Sequence, residues 1–428
     1  MTQAPSEAAE DVAARPSRWR RLVADTTPLQ ESADYRRWWF GYSVSFTGTQ
    51  LTQFAIPVQV YFLTHSSLDV GLVGLITLGP LIAMGLLGGA IADAMDRRRL
   101  TLITGTFLLA MSVLLAVQAA MKLDQLWLLY LVAAIAGGAS AVDSSARGAI
   151  LPRLVRRELL PSANALGQLG FQTGLSAGPL LGGLLVGTVG FAWAYGVDAG
   201  SFLAVLYAIW RLPAMPPEGG GSKAGVASVM EGLRFLGPRK NLMMTFLVDI
   251  NAMVFGMPRA LFPAIGTTWF HGGAGTVGLL AAAPSIGALA GAATSGWAAR
   301  IRRQGLAVLV SVCIWGGSIA MFGFNRVLWL GLVLLGIAGA ADMVSAIFRN
   351  TILQVATPDA LRGRLQGVFI VVVTGGPRLG DFEAGTVANA FGVAASVVSG
   401  GLACIAGVAL LAGRYRSFAD YDARDPVP

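Results

Sequence analysis

Apolar runs of about twenty residues, the length that crosses a hydrocarbon core, recur from end to end of this 428-residue chain. No other feature narrows the fold as much. In lipid a backbone satisfies its own polar groups only as a helix or a closed barrel, and runs this long read as helices. Twelve spans are expected, at 38–62, 69–92, 100–121, 126–151, 163–188, 193–211, 242–267, 275–298, 305–324, 327–352, 364–388 and 391–413. Fifty-five glycines would be too many for an ordinary soluble helical protein, and they suit membrane helices in close contact. The expected class is an all-α integral membrane protein.

Basic residues set the orientation. Of the 31 Lys and Arg, 25 fall in segments on one side of the spans, and only Lys122 and Arg326 fall in segments on the other. Arg147, Arg259, Arg349 and Arg378 lie inside spans. Lys and Arg stay cytoplasmic during insertion, so both termini are expected in the cytoplasm of a multi-pass plasma-membrane protein. The net charge of +8 is then a topology signal and does not point to a nucleic-acid partner.

The chain reads as two halves. Val70-Gly71-Leu72 returns as Val277-Gly278-Leu279 and Gly89 as Gly296, each 207 positions on. A direct repeat of half the chain marks a two-halved transporter. The expected organisation is a cytoplasmic tail at 1–35, a six-helix half at 36–211, a cytoplasmic linker at 212–241, a second six-helix half at 242–413 and a tail at 414–428. In the linker Val226, Val229, Met230, Leu233 and Leu236 recur at helical spacing, as in a helix lying on the inner membrane surface.

Several functions are disfavoured. Cys313 and Cys404 lie in apolar runs and His65 and His271 in short loops, so no metal centre is expected. No nucleophile elbow, P-loop or other enzyme constellation is present, and no cofactor is expected.

The loop Gly88-Gly89-Ala90-Ile91-Ala92-Asp93-Ala94-Met95-Asp96-Arg97-Arg98-Arg99 joins the second and third spans. With twelve spans and a central linker, its Gly89, Asp93, Arg97 and Arg98 resemble the major facilitator superfamily. The match departs at Ala94 and Asp96, and the second copy has Arg300 where the aspartate would sit. Gly174-x-x-x-Gly178-Pro179-x-x-Gly182-Gly183 in the fifth span is similar to the superfamily's antiporter-type exporter motif. Pro57-Val58-Gln59-Val60, Thr64-His65-Ser66-Ser67-x-Asp69-Val70-Gly71-Leu72, Gly190-Phe191-Ala192-Trp193-Ala194-Tyr195-Gly196, Ala260-Leu261-Phe262-Pro263-Ala264 and Thr357-Pro358-x-x-x-Arg362-Gly363-Arg364 resemble its enterobactin-exporter branch. The resemblance implies export of a siderophore or another small molecule, coupled to proton entry, by a monomer in lipid. Multidrug or antibiotic efflux is the alternative. An importer and a non-transporting membrane scaffold are the other readings.

Charged side chains inside spans need partners or a wet cavity. Asp249, in the seventh span, suits a group that binds and releases a proton, or one that pairs with an arginine of another helix. In the eleventh span Arg378 and Asp381 are three apart and can pair, while Glu383 points elsewhere; either acid could titrate, or the group could be a static network. Gly375-Gly376-Pro377 beside them points to a broken helix. Asp143 and Arg147 are four apart in the fourth span, and Arg349 stands 202 residues after Arg147 with Asp342 before it. These are expected to form inner-gate ion pairs with the Asp93 loop. Gln50 and Gln53, then Asn164, Gln168 and Gln172, form amide stripes that line a cavity or bond helix to helix. Asn251 and Arg259 are further cavity candidates, with snorkelling the alternative for Arg259.

Overall fold

The computed structural model describes residues 25–216, 226–357 and 359–422. Among them every named element is helical; Arg303 and Asp422 form one isolated bridge. A short α1 (Thr27–Glu31) precedes α2 (Ala33–Thr64), α3 (Ser67–Ala94), α4 (Arg97–Ala120), α5 (Leu126–Leu154), α6 (Leu160–Thr188) and α7 (Phe191–Trp210). The linker holds α8 (Val226–Leu236). The second half follows as α9 (Lys240–Phe255), α10 (Phe262–Thr268), α11 (Ala274–Ala293), α12 (Gln304–Phe324), α13 (Leu328–Ala356), α14 (Asp359–Phe391), α15 (Val393–Arg414) and the short α16 (Arg416–Ala419). Among the described residues ten helical segments are long and apolar enough to cross a membrane, with α9 and α10 counting as one. The helices α2 and α14 have 32 and 33 residues and occupy the first and eleventh expected spans. Trp127, Trp193 and Trp329 open α5, α7 and α13 and are exposed, as amphipathic rings are at a membrane boundary.

Local chemistry sets the helix ends. The Ser66 hydroxyl accepts from the Asp69 N–H and caps α3, and Asp96 accepts from the Arg99 N–H and caps α4. Gly190 and Gly392 carry φ of 92° and 89°, a conformation that costs glycine little. They turn α6 into α7 and α14 into α15, and they are 202 positions apart, the spacing of Arg147 and Arg349.

The packing repeats with the sequence. In the first half α3 pairs with α5, α4 with α7, and α2 with α6 and α7. In the second half α11 pairs with α13, α12 with α15, and α9 with α14 and α15. The halves meet where α3 lies on α14 and α6 on α11.

Four expectations change. The segment before the first span is not all tail: α1 and the start of α2 lie within it, Tyr35 is fully buried and its hydroxyl donates to the Ala163 carbonyl at 3.0 Å. The eleventh span runs unbroken through Pro377. The broken span is the seventh, which leaves α-helix between Phe255 and Phe262 around Pro258; the Trp315 indole donates to the Gly256 carbonyl that the break frees, at 2.7 Å. The eighth span stops at Ala293 and continues as a 3₁₀ turn over Ser295–Arg300. The helix α8 packs against α14 and α9 with Leu236 buried, and it leaves Met230 and Leu233 exposed. Residues 1–24, 217–225, Pro358 and 423–428 lie outside the described residues, and with them Arg15, Arg18, Arg20 and Arg21 of the N-terminal tail.

Candidate functional site

The seam between the halves is made by backbone. A Cβ added at Gly71 would stand 2.6 Å from the Asp381 carbonyl oxygen, and one at Gly74 would stand 2.8 Å from that of Arg378. On the other seam a Cβ at Gly183 would meet the Ala274 carbonyl oxygen at 2.7 Å, and one at Gly278 that of Pro179 at 2.6 Å. All four positions lie toward the end opposite the arginine-rich loops. Among the described residues no ion pair joins the two halves. These backbone contacts seal the end opposite the basic loops.

The amide stripe of α6 lies along this division. Gly183 touches α11, and Gln172 is eleven residues before it, three helical turns on the same face. Gln168 and Asn164 continue that face toward the basic end and are exposed, while Gln172 is buried. A neighbouring face carries Gly174, Gly178 and Gly182, which lie against Phe46, Gln50 and Phe54 of α2. Pro179 is within α6, and the helix continues through it. Gln50 is half-buried at this contact and Gln53 is exposed. Asn251 is used elsewhere: its amide donates to the Cys404 carbonyl at 2.8 Å and fills the space beside Gly407, holding α9 to α15.

Each half keeps its own charge centre. In the first, the Arg147 Nε is 2.5 Å from the Asp143 carboxylate, Thr104 donates to Asp143 at 2.7 Å, and the guanidinium sits 5.1 Å from the centre of the Tyr42 ring. In the second, Arg349 pairs with Asp249 across α13 and α9, and with Asp342 at 3.6 Å. Of the two readings left open for Asp249, the structure has the interhelical arginine pair.

The expected links to the Asp93 loop are not formed. Arg98 donates to the Ile209 and Trp210 carbonyls at the end of α7, and Asp96 accepts from the Met215 N–H. The Arg97 N–H donates to the Met215 carbonyl. These groups tie the loop to its own half. Asp93 is half-buried with no ion-pair partner among the described residues. Gly88 makes a close approach to α5, beside Val142 and Ser145. The second copy is built alike: Arg302 pairs with Asp422 at 3.1 Å, and Gly305 lies against Phe418 of the packed tail.

At the seam Asp381 pairs with Arg259 at 3.6 Å, not with Arg378. The break in the seventh span brings Arg259 there, which sequence spacing could not show. Glu383 is half-buried and has no ion pair among the described residues.

Sequence reading missed Asp198. It is buried in α7, and its Oδ2 accepts from Thr52 and Ser112, each at 2.7 Å, while Oδ1 has no partner. Its signal was present as a carboxylate within an apolar run.

A two-halved helical bundle of this pairing has close counterparts. The family model described as transmembrane secretion effector matches residues 24–426. The chain belongs to this family of the major facilitator superfamily. Members of the family are transporters, not enzymes, and this one is a multi-pass membrane efflux protein acting on a small molecule. The transmembrane secretion effector chain is 32% identical over 396 residues to the enterobactin exporter EntS of Citrobacter koseri, covering 90% of this chain and 92% of that one. A POT family transporter solved with 5-aminolevulinic acid shares the fold with a TM-score of 0.70 at 11% identity, covering 90% and 97% of the two chains. A bacterial homologue of the lysosomal transporter Spinster does so with a TM-score of 0.68 at 16% identity, covering 94% and 98%.

Proposed function

We propose that this protein exports a siderophore by proton antiport with alternating access. One observation carries the mechanism: the halves touch through glycine-lined seams at the end opposite the arginine-rich loops, and among the described residues no ion pair crosses between them. Two rigid halves that meet in this way can rock about a central site. By the distribution of Lys and Arg the arginine-rich end faces the cytoplasm, so substrate enters from there. The siderophore class comes from the related enterobactin exporters.

In this reading Asn164, Gln168, Gln172, Gln50 and Gln53 line the path. When the outer seam opens, the basic ends close, and Asp93 gains a partner from the opposite half. Gly89, Arg97 and Arg98 shape that latch, and Gly174, Gly178 and Pro179 let α6 slide on α2. Protonation of Asp249, Asp381 or Glu383 competes with substrate. For Asp249 that means release of Arg349 to Asp342. The transporter works as a monomer in lipid.

The test is accumulation of catecholate siderophore by everted membrane vesicles under an imposed acid-inside gradient. Accumulation that a protonophore abolishes supports antiport. Undiminished proton-linked accumulation after Asp249→Asn, Asp381→Asn and Glu383→Gln together removes the carboxylate mechanism. Transport of many cationic amphiphiles and no siderophore makes the protein a multidrug pump instead.

A further inference from the structure

The seam of α3 and α14 has two arginines and one aspartate beside it. Asp381 is nine-tenths buried; its Oδ2 is 3.6 Å from Arg259 and its Oδ1 has no hydrogen bond. Arg378 stands one turn earlier on the same helix, and among the described residues it makes neither a hydrogen bond nor an ion pair. A guanidinium stays charged in proteins, and an unpaired one at membrane depth is expensive. Its nearest acid already serves Arg259. Glu383 is five residues on, about 140° around the helix, and cannot reach it. The acids of the other charge centre are occupied by Arg349.

Direction adds to this. The seam includes Arg378, whose carbonyl and Cα lie against Gly74 of α3, and continues toward the basic end at Gly375, beside Leu78. The helix α14 runs from the basic end to the sealed end, and long helical side chains lean toward the N-terminus of their helix. The guanidinium therefore leans back along α14 toward the basic end, from which substrate would arrive.

We propose that Arg378, with Arg259 beside it, is an anion subsite and that the transported molecule is an organic anion bound there through a carboxylate or comparable oxyanion. A planar guanidinium takes a carboxylate in two parallel hydrogen bonds, which fixes the orientation of the substrate as well as its charge. The proposal rests on the exporter reading and names the substrate's charge class.

Two probes of one shape test it: dihydroxybenzoate, an anion at neutral pH, and dihydroxybenzamide, its uncharged counterpart. Binding to the purified full-length protein is measured by calorimetry for the wild type, Arg378→Gln, Arg378→Lys and, as a control for total charge, Arg302→Gln. The wild type and Arg302→Gln bind the benzoate at least tenfold more tightly than the benzamide. Arg378→Gln abolishes the preference while benzamide binding is unchanged, and Arg378→Lys keeps part of it. Equal binding of the two probes by the wild type, binding of neither, or a full preference in Arg378→Gln overturns the subsite. The wild-type preference stands as a test even if Arg378→Gln fails to fold. Siderophore accumulation in everted vesicles judges the exporter reading separately. Accumulation without a preference removes only the subsite, and a preference without accumulation removes only the export.

Discussion

Gly71 and Gly278, 207 positions apart in the chain, hold the two opposite seams of the molecule. Each lets its helix lie on a backbone carbonyl of the other half, that of Asp381 for Gly71 and that of Pro179 for Gly278. The repeat visible in the sequence is thus a repeat of contact geometry. An added methyl would meet an oxygen that cannot turn aside.

The first prediction concerns these seams. Gly71→Ala or Gly278→Ala should destabilise the sealed end by about 1–3 kcal/mol, the range for overpacking a close contact. The halves should respond by parting there rather than by unfolding. Spin labels at Thr188 and His271, exposed at the ends of α6 and near the start of α11, would report a longer distance in both variants. An unchanged distance would mean that the glycines do not set the conformation.

A second prediction separates the α6 glycines. A Cβ at Gly178 faces Gln50 Cβ at 2.4 Å with backbone behind it, whereas one at Gly182 faces the ring of Phe54, which can rotate. Gly178→Ala should lower the melting temperature in detergent clearly more than Gly182→Ala. Equal losses would contradict the packing described.

The buried triad of the second half gives a third. Asp249→Asn leaves Arg349 with Asp342, but Arg349→Met leaves the buried Asp249 and the half-buried Asp342 with no cation. Stranding a buried charge costs about 3–5 kcal/mol, so Arg349→Met should be the more destabilising of the two by thermal unfolding. The reverse order would show that Asp342 gives Arg349 no support.

Asp198 offers a fourth. Asparagine keeps an oxygen for the Thr52 and Ser112 hydroxyls, and leucine strands both donors at about 1–3 kcal/mol each. Asp198→Asn should fold with near-normal stability and Asp198→Leu should not. If both variants are equally stable, the hydroxyl pair does not hold α2 and α4 to α7.

How much of this could be read in advance follows from the range of each signal. Apolar length and arginine placement are summed over many residues, so the spans at 69–92 and 193–211 lie within two or three residues of the observed helices. Single-residue cues fared worse. Pro377 marks a break in the sequence, but the helix carries it, while Pro258 lies in the true break. Arg378 and Asp381 have pairing distance in sequence, yet Arg259 takes the aspartate because tertiary packing brings it there. The expected pairs with the Asp93 loop give way to Asp143 with Arg147 inside α5 and to Arg349 with Asp249 and Asp342, and tertiary packing that no local pattern encodes brings Asp249 to Arg349.

The most direct test of the account is release of siderophore by living cells. In iron-starved cells that lack their own siderophore exporter and carry this protein, catecholate siderophore inside and outside is measured by mass spectrometry. The account predicts release that depends on the protein and falls with Asp93→Asn. Unchanged retention of siderophore, with the protein present in the membrane, would contradict it.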